Sequence, residues 1–383
     1  MAGHSNAGRY RIGGHIIELR APRLADAESW RRTNLENESR LRPAFGSPDG
    51  DWDEEHSPAA WAAIWWRSIH DPDVRIARVL TVANGAQDTV VGYQVWAGQD
   101  PRTGHAEASV WVAGLPNSYE VTAFFTAACV LDMLNAHPDL PYVIAPMAVH
   151  NRPPIALAET VGFTHLQTLR QLREYDGRAA DHSIHYLSNT EASRAGLAAI
   201  ISTIGAEPLA PRPADRVSRA AALGLIRHKV RRLRTRARTL RATPTTPACV
   251  IGPTRTEHGH EVRFHYRGHE YSVTFDGRPV GDVGVHIDHG SSTTAIIDRL
   301  HPHIDSETAS AVLAVACREA AENQATRRLT VALAERHSPA VAALLDLGFV
   351  SEGVTLPSLG DRATPRESWT RLHHPTAKAP KPS

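Results

Sequence analysis

Apolar positions along this chain switch between strand and helix spacing, and each switch marks an element. The run HIIELR at 15–20 reads as a first strand. Leu24-Ala25-Asp26 then opens a helix through Asn37, with Asp26 near its positive end. A second helix covers 59–69 (AAWAAIWWRSI), where Trp61, Trp65 and Trp66 share one apolar face. Strands follow at 75–83, 89–97 (TVVGYQVWA) and 106–113 (AEASVWVA), the first two joined by a turn around Asn84-Gly85. Residues 121–136 form a long, mostly apolar helix. A strand at 142–149 leads through Asn151 into a short apolar helix that closes on Val161-Gly162-Phe163, and two further strand-like runs turn at Asp176-Gly177. The polar, glycine-rich residues 1–14 read as a loose tail. The series is β-α-α-β-β-β-α-β-α-β-β.

Texture changes at 190–247, which is rich in Ala and Arg. Pro208, Pro211 and Pro213 break one helical stretch and TPTTP at 243–247 ends another, the profile of a connector with helices of its own. Strand patterns resume with VRFHYR, EYSVTFDG, PVGDVGVHI and TTAIIDRL. A helix at 306–322, a strand at 327–333 and a short helix at 339–345 follow, closing on Leu347-Gly348-Phe349. That ending repeats Val161-Gly162-Phe163, and YSVTFDGRPVG parallels the hairpin at 79–92, so the second half reads as a shorter copy of the first. The Pro/Lys-rich tail HPTAKAPKPS has a disordered composition.

At 383 residues the chain is long enough for two domains. It is 42% hydrophobic and 22% charged, with a net charge of +1, so any anionic partner must be met by a local patch. Cys129, Cys249 and Cys317 are far apart and form no Cys-x-x-Cys, which argues against a disulfide framework or a zinc site and for a reducing compartment. The first residues lack the apolar core of a signal peptide, and no apolar run approaches the ~20 residues needed to span a bilayer. The expected location is the cytoplasm. The 22 histidines are scattered without an HExxH, and no metal site is expected.

The order of strand, Asn151, short helix, Gly162-Phe163, strand, Asp181-His182 and strand resembles the GNAT acetyltransferases. The likeness is to their RimJ/RimL branch, which acetylates amino termini and small amines. Leu19-Arg20 followed by WRRTNLENESRLRP resembles that branch's opening, in which a helix and its loop wall the acceptor cleft. The resemblance implies an α/β fold with an α+β mixed sheet. It implies tandem domains: a RimJ/RimL-like unit at 15–189, a basic helical connector at 190–247 and a truncated GNAT-like unit at 248–372.

It also implies acetyl-CoA as acyl donor and a primary amine or protein N-terminus as acceptor. In this family a glycine-rich, basic loop presents bare N–H groups to the cofactor pyrophosphate at a helix N-terminus. Here the stretch reads Gly114-Leu115-Pro116-Asn117-Ser118-Tyr119-Glu120-Val121-Thr122, with Ser118 and Glu120 where glycines are expected, and Glu120 placing a negative charge beside the phosphates. The second copy, His301 to Ala309, has no glycine and two acids, and Ser306 there reads as a helix N-cap. The implied cofactor contacts are Trp111, Val112, Ala113, Ser118, Val121, Thr122 and Asn151. Asn151 is equally readable as the cap of the helix that begins at Arg152, and Pro154 stands where the family often has a serine. Glu107, Tyr93 and Tyr175 are candidates to take the amine proton, with Glu107 and Tyr175 the catalytic choices. Asp181-His182 reads as a structural hydrogen-bonding pair.

The segment IRHKVRRLRTRARTLR at 226–241 carries eight basic residues and no acid. Ile226, Val230, Leu233, Ala237 and Leu240 recur at spacings of 4, 3, 4 and 3, a narrow apolar seam. It could meet RNA, the ribosome, an anionic surface or an acidic partner, or it could pack its seam on a domain. The implied function is therefore acyl-CoA-dependent N-acetyl transfer. A catalytically silent tandem scaffold that binds through the basic helix is the rival, and an enzyme for another acyl donor is a third reading.

Overall fold

The computed structural model describes residues 6–47, 50–71, 74–84, 87–97, 106–210, 217, 219–241, 254–255, 259–267, 270–284, 294–300, 305–322, 328–333, 340–355 and 366–373. They form two compact units, one of 1–165, 175–178 and 184–244, the other of 166–174, 179–183 and 245–383.

The chain begins with β1 (Gly8–Ile12), β2 (His15–Arg20), α1 (Ala27–Glu36), α2 (Glu38–Phe45), α3 (Trp52–Glu55) and α4 (Pro58–His70). Then come β3 (Val74–Asn84), β4 (Gln87–Ala97), β5 (Ala106–Val112), α5 (Tyr119–Ala136), β6 (Tyr142–Ala148) and α6 (Arg152–Thr160). The hairpin β7 (Thr164–Tyr175) and β8 (Arg178–Ser188), α7 (Glu191–Ile204), β9 (Glu207–Leu209) and α8 (Arg219–Arg241) follow. The first sheet has the order β7-β8-β6-β5-β4-β3-β2-β1-β9. Its β5–β6 pair is parallel, as the α5 crossover between them requires.

α5 is apolar all round because it is buried all round. Phe124, Phe125 and Met133 pack with Val112 and Trp96 on one face of the sheet. Trp30, Trp61, Val79 and Val90 cover the other, where α1 and α4 lie. Arg20 anchors the entry to α1: its guanidinium donates to both Asp26 oxygens, at 2.9 and 2.6 Å, in a buried bidentate pair.

Two sequence expectations change here. Residues 8–12 belong to no tail: β1 pairs antiparallel with β2 and with β9, Ile12 is buried, and Tyr10 packs edge-on to Phe124 at 4.9 Å. The expected connector at 190–247 packs on the first unit in its described part. α7 buries Leu197 beside Met133 and Leu134, and α8 buries Ala221 with Trp61. Pro208, read as a helix breaker, sits instead in β9 opposite Tyr10, an edge position where no N–H is needed.

The second unit contains β10 (Thr254–Arg255), β11 (Glu261–Arg267), β12 (Glu270–Phe275), β13 (Arg278–Gly284), β14 (Thr294–Leu300), α9 (Ser306–Glu322), β15 (Arg328–Leu333), α10 (Ala340–Asp346), β16 (Val350–Thr355) and β17 (Arg366–Leu372). Its sheet order, β10-β11-β12-β13-β14-β15-β17-β16, repeats that of the first sheet from β1 to β7, with a parallel pair again flanking the long helix. The repeated Gly-Phe has a physical cause. Gly162 and Gly348 take φ of +94° and +77°, and Phe163 and Phe349 return N–H bonds to Ala158 and Leu344 at 2.9 Å, ending both short helices alike. Asp305, rather than the expected Ser306, caps α9, accepting from Thr308 N at 2.7 Å. Those bonds hold the Asp305 carboxyl below its ordinary range. Residues 301–304 lie outside the described set. Asp181 accepts from Gln171 N at 2.9 Å, the expected structural bond across the hairpin, while His182 Nδ1 contacts the Ala180 carbonyl on its own strand.

Candidate functional site

β5 is paired with β4 from Glu107 to Val112 but with β6 only at Ala106–Val143 and Glu107–Ile144. Beyond Glu107 the two parallel strands part. Ala113 N–H bonds to Val91 O at 2.8 Å, so the antiparallel alternation turns the N–H and C=O of Val110 and Val112 away from β4, into that gap. Side chains follow a second alternation: 107, 109 and 111 share the α1/α4 face, and 110 and 112 face α5. Gly92, opposite Val112, is needed here, since a Cβ would come within 3.0 Å of Trp111 O.

The strand then turns at Gly114, with φ +72°, into the first turn of α5. Ser118 stands at the N-cap and makes no side-chain cap bond, so the N–H groups of Tyr119, Glu120 and Val121 meet no cap hydroxyl. Glu120 does not lie where the sequence placed it. Its carboxylate turns toward the β1–β2 turn, 3.2 Å from where a Cβ on Gly13 would stand. The Tyr119 hydroxyl instead reaches Thr160 Oγ1 at 2.7 Å, bridging the start of α5 and the end of α6. No sequence signal marks a pairing of two surface hydroxyls 41 positions apart.

Val112, Ala113 and Val121 are buried in the core, so only their main chain can face a ligand. Thr122 uses its hydroxyl on Ser118 O at 2.7 Å. Trp111 packs under the wall made by Leu41 and Trp52. Asn151 heads α6, yet its side chain makes no cap bond, contrary to the capping alternative. Glu107 stands where β5 and β6 separate, four positions and about 13 Å along the strand from Trp111. Tyr93 is unsuited to taking a proton: it lies edge-on to Trp61 at 5.9 Å, and burial pushes its pKa up to about 12. Tyr175 precedes a turn with positive φ at both Asp176 and Gly177, and Asp176 N–H bonds to Pro43 O at 2.8 Å, setting the tyrosine beside α2. Chain adjacency thus gathers residues 111–122, and the strand order sets Asn151 across the gap; Glu107 stands at the closed end of that gap and Tyr175 beside α2.

The α1–α3 wall holds groups the sequence reading missed. Thr33 Oγ1 donates to Val90 O at 2.6 Å, fixing α1 to β4, and Trp52 Nε1 donates to Asn34 O at 3.2 Å, tying α3 to α1. His56 stacks on Trp52 with ring centroids 3.9 Å apart, and burial lowers its pKa. The unfolded chain therefore binds this proton more readily, and stability should fall as pH drops below about 6.5. A His56→Gln variant is expected to show a shallower loss of melting temperature between pH 7 and pH 5, read by thermal scans.

Among the described residues no group of three His, Cys, Asp or Glu side chains is placed to hold a metal ion. No helix among them is long and apolar enough to cross a membrane. Residues 19–184 match the family model described as acetyltransferase (GNAT) domain. This part of the chain, under half of its length, matches as a GNAT acetyltransferase domain.

The GNAT domain and its flanks are similar to several solved structures. RimJ of Mycobacterium smegmatis, in complex with CoA-disulfide, is 21% identical, with a TM-score of 0.46 over 53% of this chain and 96% of that one. The ribosomal-protein-S5-alanine acetyltransferase of Vibrio fischeri is 13% identical, with a TM-score of 0.40 over 48% and 97%. YncA of Salmonella typhimurium, with acetyl-CoA, is 18% identical, with a TM-score of 0.35 over 46% and 95%. No curated protein matches the chain.

Proposed function

We propose that the GNAT domain, bounded at about 15–189, transfers an acetyl group from acetyl-CoA to a primary amine, such as a protein N-terminus, and that the unit at about 248–372 is its truncated repeat. The parting of β5 from β6 carries this reading, because it leaves main-chain donors unpaired at the end of a rigid sheet. Such donors serve a thioester without needing particular side chains.

The residues fit the donor. The uncapped N–H groups at the start of α5 suit a pyrophosphate, helped by the helix dipole and by Glu120 being turned aside. The free Asn151 amide at the head of α6 suits the pantetheine arm. Bound acetyl-CoA supplies the activated carbonyl; the chain supplies position and a proton acceptor. Glu107 takes the amine proton, directly or through one water, from the α1/α4 face that the wall encloses. Tyr175 borders that face beside α2 and orients the incoming amine. Pro154 offers no hydroxyl on the first turn of α6, and Tyr119–Thr160 must part to admit a long cofactor between the helices.

The test is incubation of the full chain with acetyl-CoA and a peptide bearing a free α-amine. A mass gain of one acetyl group at the N-terminus is expected. Thioester hydrolysis without peptide modification would contradict amine transfer.

A further inference from the structure

α8 packs on α4 through Ala221, Gly224 and His228. Gly224 lets the helices close: a Cβ there would stand 2.8 Å from Ala59 Cα. His228 lies 6.2 Å from the Trp66 ring, and Lys229 Nζ sits 4.8 Å over it. At 100° per residue this face is opposite the apolar seam. The seam therefore points out: Leu223, Ile226 and Val230 are 54%, 57% and 41% exposed. At Ile226 and Val230 that goes against the alternative in which the seam packs on a domain; the side chains of Leu233, Ala237 and Leu240 lie outside the described residues.

The helix continues to Arg241, and its heptad register is complete. Leu223, Val230 and Ala237 occupy a positions; Ile226, Leu233 and Leu240 occupy d. Every e position from there on is arginine (Arg227, Arg234, Arg241), and the g positions beside the last two layers are Lys229 and Arg236. We propose that α8 is one half of a heterotypic coiled coil whose other half is a helix, on another protein, with apolar a and d positions and acidic e and g positions. A second copy of this chain is disfavoured by charge. A parallel pair would set Lys229 against Arg234 and Arg236 against Arg241, and an antiparallel pair would set e against e and g against g. A lipid surface prefers a broad apolar face, whereas this stripe is two positions in seven with basic residues directly beside it. RNA would gain from the bases but nothing from the aliphatic seam.

The experiment titrates the full chain by calorimetry with a four-heptad synthetic peptide carrying Val at a, Leu at d and Glu at every e and g. Micromolar or tighter 1:1 binding is expected, with no heat from the same peptide bearing Lys at e and g. Ile226→Ser with Val230→Ser, at exposed positions, should weaken binding at least tenfold at unchanged melting temperature. Changing Arg227, Lys229, Arg234 and Arg236 to Glu should reverse the preference to the Lys peptide. Equal binding by a sequence-scrambled acidic peptide would overturn the proposal. So would failure of the acidic peptide while vesicles of phosphatidylserine and phosphatidylcholine, or an RNA duplex, bind.

Discussion

A Glu107→Gln variant is expected to lose about 10²–10⁴ in kcat/KM for acetyl transfer to a peptide amine, the usual contribution of a placed general base. Glu107 stands on β5 at the point where pairing with β6 ends, on the face shared with Trp111 and walled by α1 and α3. An amine at neutral pH is mostly protonated and cannot attack until it sheds that proton, so the loss belongs to the chemical step. The affinity for acetyl-CoA, which the proposed function assigns to main-chain groups further along β5 and at α5, should not change. The deficit should also shrink as pH rises past the α-amine's own value of about 8, where free amine becomes abundant. Those two readouts separate a base from a merely structural carboxylate. A loss under about threefold, or one that is the same at every pH, would remove Glu107 from the role.

The largest effect on stability is expected in the second unit, at Glu352→Ala. Arg328 and Glu352 have side chains only 2% and 1% exposed, and they face each other through both guanidinium nitrogens. Arg328 Nη1 donates to Glu352 Oε1 at 2.8 Å and to Arg170 O at 2.7 Å. Glu352 also accepts from Arg170 N at 2.8 Å and Thr370 Oγ1 at 2.7 Å. Removing the carboxylate leaves a buried cation and two lost hydrogen bonds, which should cost about 3–5 kcal/mol. That is a large share of a domain's usual ~5–15 kcal/mol. Chemical denaturation should show an early transition for this unit. The double variant Arg328→Met with Glu352→Leu should recover most of the loss, because no charge is then stranded. A cost under about 1 kcal/mol, the size of an exposed pair, would contradict this account.

What the sequence made legible follows from the range of the interactions concerned. The strands from β2 to β8 and the Gly-Phe helix endings rest on local period and turn chemistry, and they stand where the pattern put them. β1 was not legible because GRYRI is polar; its strand character comes from β2 and from β9, about 200 positions away. α7 and α8 have connector composition, and only tertiary contact makes them part of the first unit. At the site, residue identity misled in a specific way. The serine and glutamate in the expected glycine positions read as obstacles, yet the glutamate turns aside and the cap serine stays unbonded. The groups that the proposed function relies on are main-chain N–H and C=O, whose availability depends on where two strands stop pairing, a quantity no single-residue motif encodes. The seam of α8 was visible as spacing; its outward direction was fixed only by Gly224 meeting Ala59.

Calorimetric titration of the full chain with acetyl-CoA tests the central claim most directly, that the parted strands and the uncapped start of α5 hold a nucleotide thioester. One site of micromolar affinity is expected, weakened about tenfold by Asn151→Ala, the worth of one well-placed hydrogen bond. No heat, and no thermal shift at millimolar acetyl-CoA, would contradict it.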